Sequence, residues 1–125
     1  MNTEKNIKTL VVKKPLKLDC GKTINNFPVA FETYGSLNEN KDNAILVFHA
    51  LTGDQFVTGL NPITKKDGWW SFAVGPDKAI DTNKYFVICS NVIGGCMGSY
   101  GPSIKILKHR KLLELIFLLL QLMTW

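Results

Sequence analysis

Three segments show the apolar patterns of β-strands. Residues Val29–Gly35 alternate apolar and polar positions, as a half-buried strand does. The continuous apolar runs Ala44–Ala50 and Lys84–Val92 have strand length, which is typical of strands covered on both faces. We therefore predict two buried strands, and Ala44–Ala50 is the best candidate for a central position in a sheet.

The other segments are more polar. Residues 8–18 mix β-branched residues with lysines and contain Pro15, which predicts an edge strand or two short strands. In the turn-rich link that follows, Gly21 and Asn25-Asn26 tolerate positive φ. Residues 51–83 leave room for a crossover with one short helix around GWWSFAVG. Two buried strands joined by a long crossover indicate parallel pairing and an α/β fold.

Composition narrows the classes of function. The 125 residues suffice for one small domain, or part of one, but not for two. The net charge of +5 is spread along the chain without a nucleic-acid-binding pattern, so we expect no nucleic-acid partner. Cys20, Cys89 and Cys96 are odd in number and form no CxxC pair, which argues against a disulfide framework or structural zinc. Residues 1–18 lack a signal-peptide pattern, so we expect a cytoplasmic location.

The loop His49–Gly59, which leaves the first buried run, is the first candidate for chemistry. Ligands of open α/β sheets bind beyond the carboxyl ends of the strands, and backbone N–H groups there can stabilise an oxyanion. In α/β-hydrolase enzymes the corresponding loop supplies one of two such donors, and Leu51 is the candidate here through its N–H. The alternative is an ordinary loop with a turn at Gly53 and a capping Asp54. His49 is either a catalytic base or a satisfied, partly buried histidine, and its position after an apolar strand favours the second.

The glycine-rich stretch GGCMGSYG offers no convincing nucleophile. Ser99 has Gly101 two residues after it but Met97 two before it, so it fails the G-x-S-x-G pattern of a nucleophile elbow. The stretch also lacks the endings of a phosphate loop and of a dinucleotide fingerprint. Cys96 has no assignable histidine partner, which favours a structural role.

Residues 15–103 resemble the homoserine O-acetyltransferases of the α/β-hydrolase superfamily. The matching strings are VAFETYGSLN, AILVFHALTGD, GWWSFAVGPDKAIDTNKYFVICSNVIGGCMGS and YGPS, in the order and spacing of that family. The resemblance implies the N-terminal portion of an α/β-hydrolase fold, with a mixed sheet of early strands only, and it strengthens the assignment of Leu51.

The resemblance also implies a reaction. A serine on a later elbow attacks acetyl-CoA, a histidine held by an aspartate moves protons, and the acetyl group passes to L-homoserine. Acetyl-CoA is a substrate, no bound cofactor or metal is expected, and the intact family is expected to be homodimeric. The triad residues of the family lie downstream of the GGC loop and none of their motifs occurs here. We therefore expect this chain to be inactive.

The resemblance stops abruptly after Ser103. Read from the third base of each present codon, the DNA for Ile104–Trp125 is permitted to encode, among other strings, KNPKTQKTFGTDFPIITINDMV. The family is expected to continue with the form NPKT...YG-x-x-FP-x-x-TI-x-DMV, which this string follows except for FG in place of YG. We predict that residues 1–103 are the N-terminal part of a hydrolase-fold domain and that residues 104–125 are a frameshifted tail.

Two alternatives remain. The intact parent acts on another hydroxyl acceptor, such as serine. Otherwise, the chain is a small basic α/β protein that binds an anion or a membrane surface through KHRK and LLELIFLLLQLM. That apolar run is shorter than the roughly 20 residues of a membrane span and lacks the polar face of an interfacial helix, so we expect no membrane partner.

Overall fold

The fold consists of short strands joined by long loops. A computed structural model describes residues 7–102. The predicted features of residues 104–125, a frameshifted tail or an interfacial helix, lie outside this range. The strands are β1 (Lys8–Val12), β2 (Leu16–Lys17), β3 (Thr23–Ile24), β4 (Phe27–Tyr34), β5 (Ala44–Val47), β6 (Val74–Gly75), β7 (Ile80–Asp81) and β8 (Phe86–Ser90).

Four of these strands form a mixed sheet in the order β1-β4-β8-β5. β5 and β8 are parallel, with Val47 opposite Cys89, whereas β4 runs antiparallel to β8, with Phe31 opposite Ser90. The parallel pairing of the two apolar runs is therefore confirmed. Because β5 and β8 are parallel, the loops that follow them both start at the same edge of the sheet.

The described residues divide into two compact units, whose boundaries along the chain fall within β1, within β4 and at the end of β8. We call Lys8 with Phe31–Ser90 the core unit, and Thr9–Ala30 with residues 91–102 the N-terminal unit. The core unit is held together by a buried apolar cluster, against which Tyr34, Ile45, Trp70 and Ile80 pack. The members of the cluster are Val47, Val57, Val74, Val87 and Cys89.

The N-terminal unit contains two local structures. β2 and β3 form a small antiparallel hairpin, whose turn places Gly21 at φ 80° and is followed by Asn26 at φ 49°. The predicted tolerance of positive φ at these positions is confirmed, and so is the prediction of two short strands in residues 8–18. The second structure is the glycine-rich loop after β8, in which Gly94 N–H donates to Tyr100 O at 2.8 Å.

The predicted environment of residues 44–50 is wrong. β5 lies at one end of the strand order, and only one of its faces is covered. Ile45 and Val47 face the core cluster, but Leu46 is 55% exposed and Phe48 is 76% exposed. A continuous apolar run shows that both faces of a strand favour burial, but it does not show that this chain covers both.

The predicted helix around GWWSFAVG is also absent from the described residues. Ala73 and Val74 N–H groups both donate to Trp70 O, which closes one turn, and β6 then begins at Val74. Pro76 follows at once and cannot donate to a helical hydrogen bond. Phe72 is 80% exposed, so the segment lacks the single apolar face that would stabilise a longer helix. None of residues 7–102 belongs to a helix suited in length and hydropathy to crossing a bilayer.

Candidate functional site

A tight turn follows β5 directly. Gly53 N–H donates to Ala50 O at 2.8 Å, which makes Ala50–Gly53 a four-residue β-turn with Leu51 as its second residue. A side chain on Gly53 would be crowded, because an added Cβ would lie 3.1 Å from the Cβ of His49 and 3.2 Å from Ala50 O. The sequence expectation of a turn built on Gly53 is confirmed.

The turn leaves the Leu51 amide available. The hydrogen bond of a β-turn joins its first and fourth residues, so the N–H of the second residue takes no part in it. Within residues 7–102, the Leu51 N–H donates to no acceptor, and Leu51 is 51% exposed. This geometry is compatible with an oxyanion donor, and the role of Leu51 stays a prediction.

Asp54 organises the chain beyond the turn. One carboxylate oxygen accepts from Phe56 N–H at 2.8 Å, and the other accepts from Asn61 Nδ2 at 3.0 Å. The backbone carbonyl of Asp54 also accepts from Trp69 Nε1 at 2.9 Å. The expected capping role of Asp54 is therefore confirmed, and it does not conflict with a donor role for the Leu51 amide three positions earlier in the loop.

His49 is a satisfied histidine, as its position after β5 predicts. It is only 8% exposed, and its Nδ1 lies 2.6 Å from Ala50 O. Because a carbonyl oxygen only accepts, Nδ1 must carry the proton. The imidazole thus fixes the first residue of the turn.

Ser99 is not a nucleophile in this structure. Its side chain is fully buried, its Oγ accepts from Ala30 N–H at 2.9 Å, and its hydroxyl donates to Asn91 O at 2.6 Å. Both bonding directions of the hydroxyl are used to join β4 to the loop after β8. The failure of the elbow pattern at this serine therefore has a structural counterpart.

The Cys89 thiol is unsuited to act as a nucleophile near neutral pH. Burial, together with the nearby charge of Asp54, raises the pKa of the Cys89 thiol to about 11. That thiol is protonated near neutral pH, whereas its thiolate would be the nucleophile. Cys20 and Cys96 are exposed, and none of the three forms a disulfide. The structural role of Cys96 stays a prediction.

Sequence reasoning missed Asn61 and Tyr34. Asn61 is 4% exposed and bonds the carboxylate of Asp54, and the Tyr34 hydroxyl bonds the backbone of the loop after β5 at Val57. Asn61 lies in a loop, where polar residues carry no periodic signal. The alternation of β4 predicts a strand but not the tertiary partner of Tyr34.

Comparison with known proteins shows which proteins the N-terminal part of the chain is similar to. No family model matches the chain. Its N-terminal part, however, is 79% identical over 103 residues to a homoserine O-acetyltransferase of Pelagibacter ubique, covering 82% of this chain and 28% of that protein. Over this stretch the chain is closely similar to the homoserine O-acetyltransferases.

Solved structures agree with this identification. The homoserine O-acetyltransferase of Bacillus anthracis matches with a TM-score of 0.60 and 36% identity, over 69% of this chain and 23% of that one. Esterase E22 matches with a TM-score of 0.63 and 30% identity, over 72% of this chain and 24% of that one. These matches confirm the α/β-hydrolase fold class. The chain spans only about a quarter of the length of the homoserine O-acetyltransferases it matches.

Proposed function

We propose that this chain is part of a longer enzyme that transfers an acetyl group from acetyl-CoA to L-homoserine, and that Leu51 N–H is one of its oxyanion donors. The observation that carries the proposal is the 79% identity to a protein named homoserine O-acetyltransferase. The free amide in the turn after β5 supports the role of Leu51, since the corresponding loop of α/β-hydrolases supplies such a donor.

In the proposed reaction, the Leu51 amide stabilises the negative charge of an intermediate. A serine hydroxyl outside this chain adds to the thioester carbonyl of acetyl-CoA, while a histidine takes the serine proton. The carbonyl oxygen becomes an oxyanion, which Leu51 N–H and a second donor stabilise. The CoA thiol then leaves with the proton, and the hydroxyl of homoserine attacks the acetyl-serine to regenerate the enzyme.

Residues 1–103 supply the donor turn but no residue that matches the catalytic triad. We therefore expect the 125-residue chain to have no transferase activity. The 103 matched residues leave the end of the chain without a counterpart, which supports the interpretation of residues 104–125 as frameshifted translation. The longer enzyme is expected to be a cytoplasmic homodimer that uses no metal or bound cofactor.

One observation supports an acyl acceptor other than homoserine. Esterase E22 is among the similar structures, and an esterase passes its acyl group to water. The same oxyanion turn therefore serves hydrolysis or transfer to another hydroxyl, such as that of serine, equally well.

The test compares two proteins from the same gene. The DNA around codon 103 is resequenced, and the protein read in the neighbouring frame after Ser103 is produced beside the 125-residue chain. Both are incubated with acetyl-CoA and L-homoserine, L-serine or no acceptor, and released CoA thiol is measured. We expect homoserine-dependent release only from the longer protein. A neighbouring frame closed by stop codons, or equal release with no acceptor, would overturn the proposal.

A further inference from the structure

The orientation of the Asn61 side chain is fixed by its own backbone. Its Oδ1 accepts from Ile63 N–H at 2.9 Å and from Thr64 N–H at 3.1 Å. The amide nitrogen is therefore the end that faces Asp54, and it donates to Oδ2 at 3.0 Å. Asn61 is 4% exposed, so water does not readily replace this bond.

The Asp54 carboxylate is fixed from the other side. Its Oδ1 accepts from Phe56 N–H at 2.8 Å, a bond that spans two residues and closes a local turn. Both carboxylate oxygens are thus used, each by a donor with no alternative orientation. Hydrogen bonds to an ionised group are about twice as strong as neutral ones, so this arrangement is stiff.

Leu51 lies between two anchors. On its N-terminal side, the His49 ring holds Ala50 O, and on its C-terminal side Gly53 leads directly into Asp54. Asp54 is held by its two carboxylate contacts and by Trp69 Nε1, which donates to its backbone carbonyl at 2.9 Å. The direction of the Leu51 N–H therefore depends on where Asp54 is held.

We propose that Asp54 and Asn61 form a positioning pair that aims the Leu51 N–H at the oxyanion. The pair touches no reacting atom and acts through the turn. This inference rests on the proposed acyl-transfer function for its catalytic consequence. A displaced oxyanion donor costs about 100-fold in turnover, because donor strength depends steeply on distance and angle.

Because the donor end and the acceptor end of the pair are fixed, Asp54 and Asn61 can be exchanged for one another in a double variant. In Asp54→Asn, either Phe56 N–H or Asn61 Nδ2 loses its acceptor, whichever way the new amide turns. In Asn61→Asp, two carboxylates face each other at about the present 3.0 Å contact. In the double variant Asp54→Asn/Asn61→Asp, the amide at position 54 donates to the carboxylate at position 61, and all three backbone contacts remain possible.

Two readouts are made on each variant. In the 125-residue chain, hydrogen exchange is measured at the amides of Gly53 and Phe56. In the longer protein, kcat and KM are measured for acetyl transfer. The matched control is Thr58→Val, which removes the 2.8 Å bond from Thr58 Oγ1 to Val74 O elsewhere in the core unit.

We expect each single variant to raise exchange at Gly53 and Phe56 by about 10- to 100-fold. It should lower kcat about 100-fold with KM within about 3-fold, and the double variant should recover most of both losses. Thr58→Val should change neither quantity by more than about 3-fold.

The inference is overturned if the double variant is as impaired as the singles, or if the singles lose no more turnover than Thr58→Val. An unmutated longer protein without acetyl transfer would instead overturn the proposed function. In that case, exchange at Gly53 and Phe56 still decides whether the pair holds the turn.

Discussion

The Tyr34 hydroxyl joins the end of β4 to the loop after β5. It accepts from Val57 N–H at 3.0 Å and lies 3.4 Å from Gln55 O, to which it donates. Burial raises the pKa of Tyr34 from its ordinary 10 to about 12. Because the folded state holds this proton more tightly than the unfolded state, the free energy of unfolding decreases at alkaline pH.

We expect the free energy of unfolding to fall between pH 10 and pH 12. Below pH 10 Tyr34 is protonated in both states, and above it only the unfolded state loses the proton, which removes roughly 2 kcal/mol by pH 12. Cys89, whose pKa burial raises to about 11, adds a loss of the same sign from about pH 9. Urea titrations at several pH values measure this slope. Tyr34→Phe should cost about 1 kcal/mol at pH 7 and reduce the alkaline slope, and an unchanged slope would contradict the assignment.

Two glycines in the core unit differ in what surrounds them. A Cβ on Gly68 would overlap the backbone of Thr58, whereas a Cβ on Gly59 would meet nothing within 4 Å. Gly59 instead has φ 73°, which any other residue adopts with strain. Gly68 is required because the backbone of Thr58 lies close to it, and Gly59 is required because its φ is positive.

We expect Gly68→Ala to lower the free energy of unfolding by about 3 kcal/mol or more, because the overlapping atoms are backbone and cannot turn aside. Gly59→Ala should cost only about 1 kcal/mol, the typical penalty of the left-handed region. Urea denaturation of both variants measures the difference. Equal losses would show that the close approach at Gly68 is relieved by small shifts.

At the scale of elements, β5 has two different faces. Val47 belongs to the core cluster and Ile45 packs against it, while Leu46, and Phe48 directly after the strand, remain largely exposed. In the described residues, the second edge of β5 pairs with no strand. An apolar edge strand without charged residues favours association between copies.

We expect Leu46→Lys to increase the soluble fraction of the chain and to leave its stability within about 0.5 kcal/mol. The matched variant Ile45→Lys, one position away, places a charge against the core cluster and should prevent folding. Soluble yield and circular dichroism of the two variants make the comparison. A Leu46→Lys chain that unfolds like Ile45→Lys would show that the outward face of β5 is packed.

The strands that the sequence predicts well are those with a marked apolar pattern, either alternating or continuous. Alternation located β4, and the apolar runs located β5 and β8 and their parallel pairing. β6 and β7 have two residues each, too few for any periodicity, and they were not predicted. The helix expected around GWWSFAVG was an inference from available length, which sequence spacing did not support.

At the scale of the whole molecule, fold class and family follow from strings such as GPDKAIDTNKYFVICSNVIGGC, which have no compositional reason to recur. The candidate Leu51 follows from its place after an apolar run. The Asp54–Asn61 contact cannot be predicted from the sequence. It depends on how the loop after β5 folds back at Asn61 and on which end of the Asn61 amide faces Asp54.

The measurement that tests the account most directly is the turnover of two Leu51 variants in the longer protein. Proline is favoured at the second position of a β-turn, so Leu51→Pro keeps the turn and removes only the N–H, whereas Leu51→Ala keeps the N–H and removes most of the side chain. We predict that Leu51→Ala stays within about 5-fold of the unmutated kcat and that Leu51→Pro falls about 100- to 1,000-fold. A Leu51→Pro enzyme that folds normally and turns over as fast as Leu51→Ala would contradict the central claim.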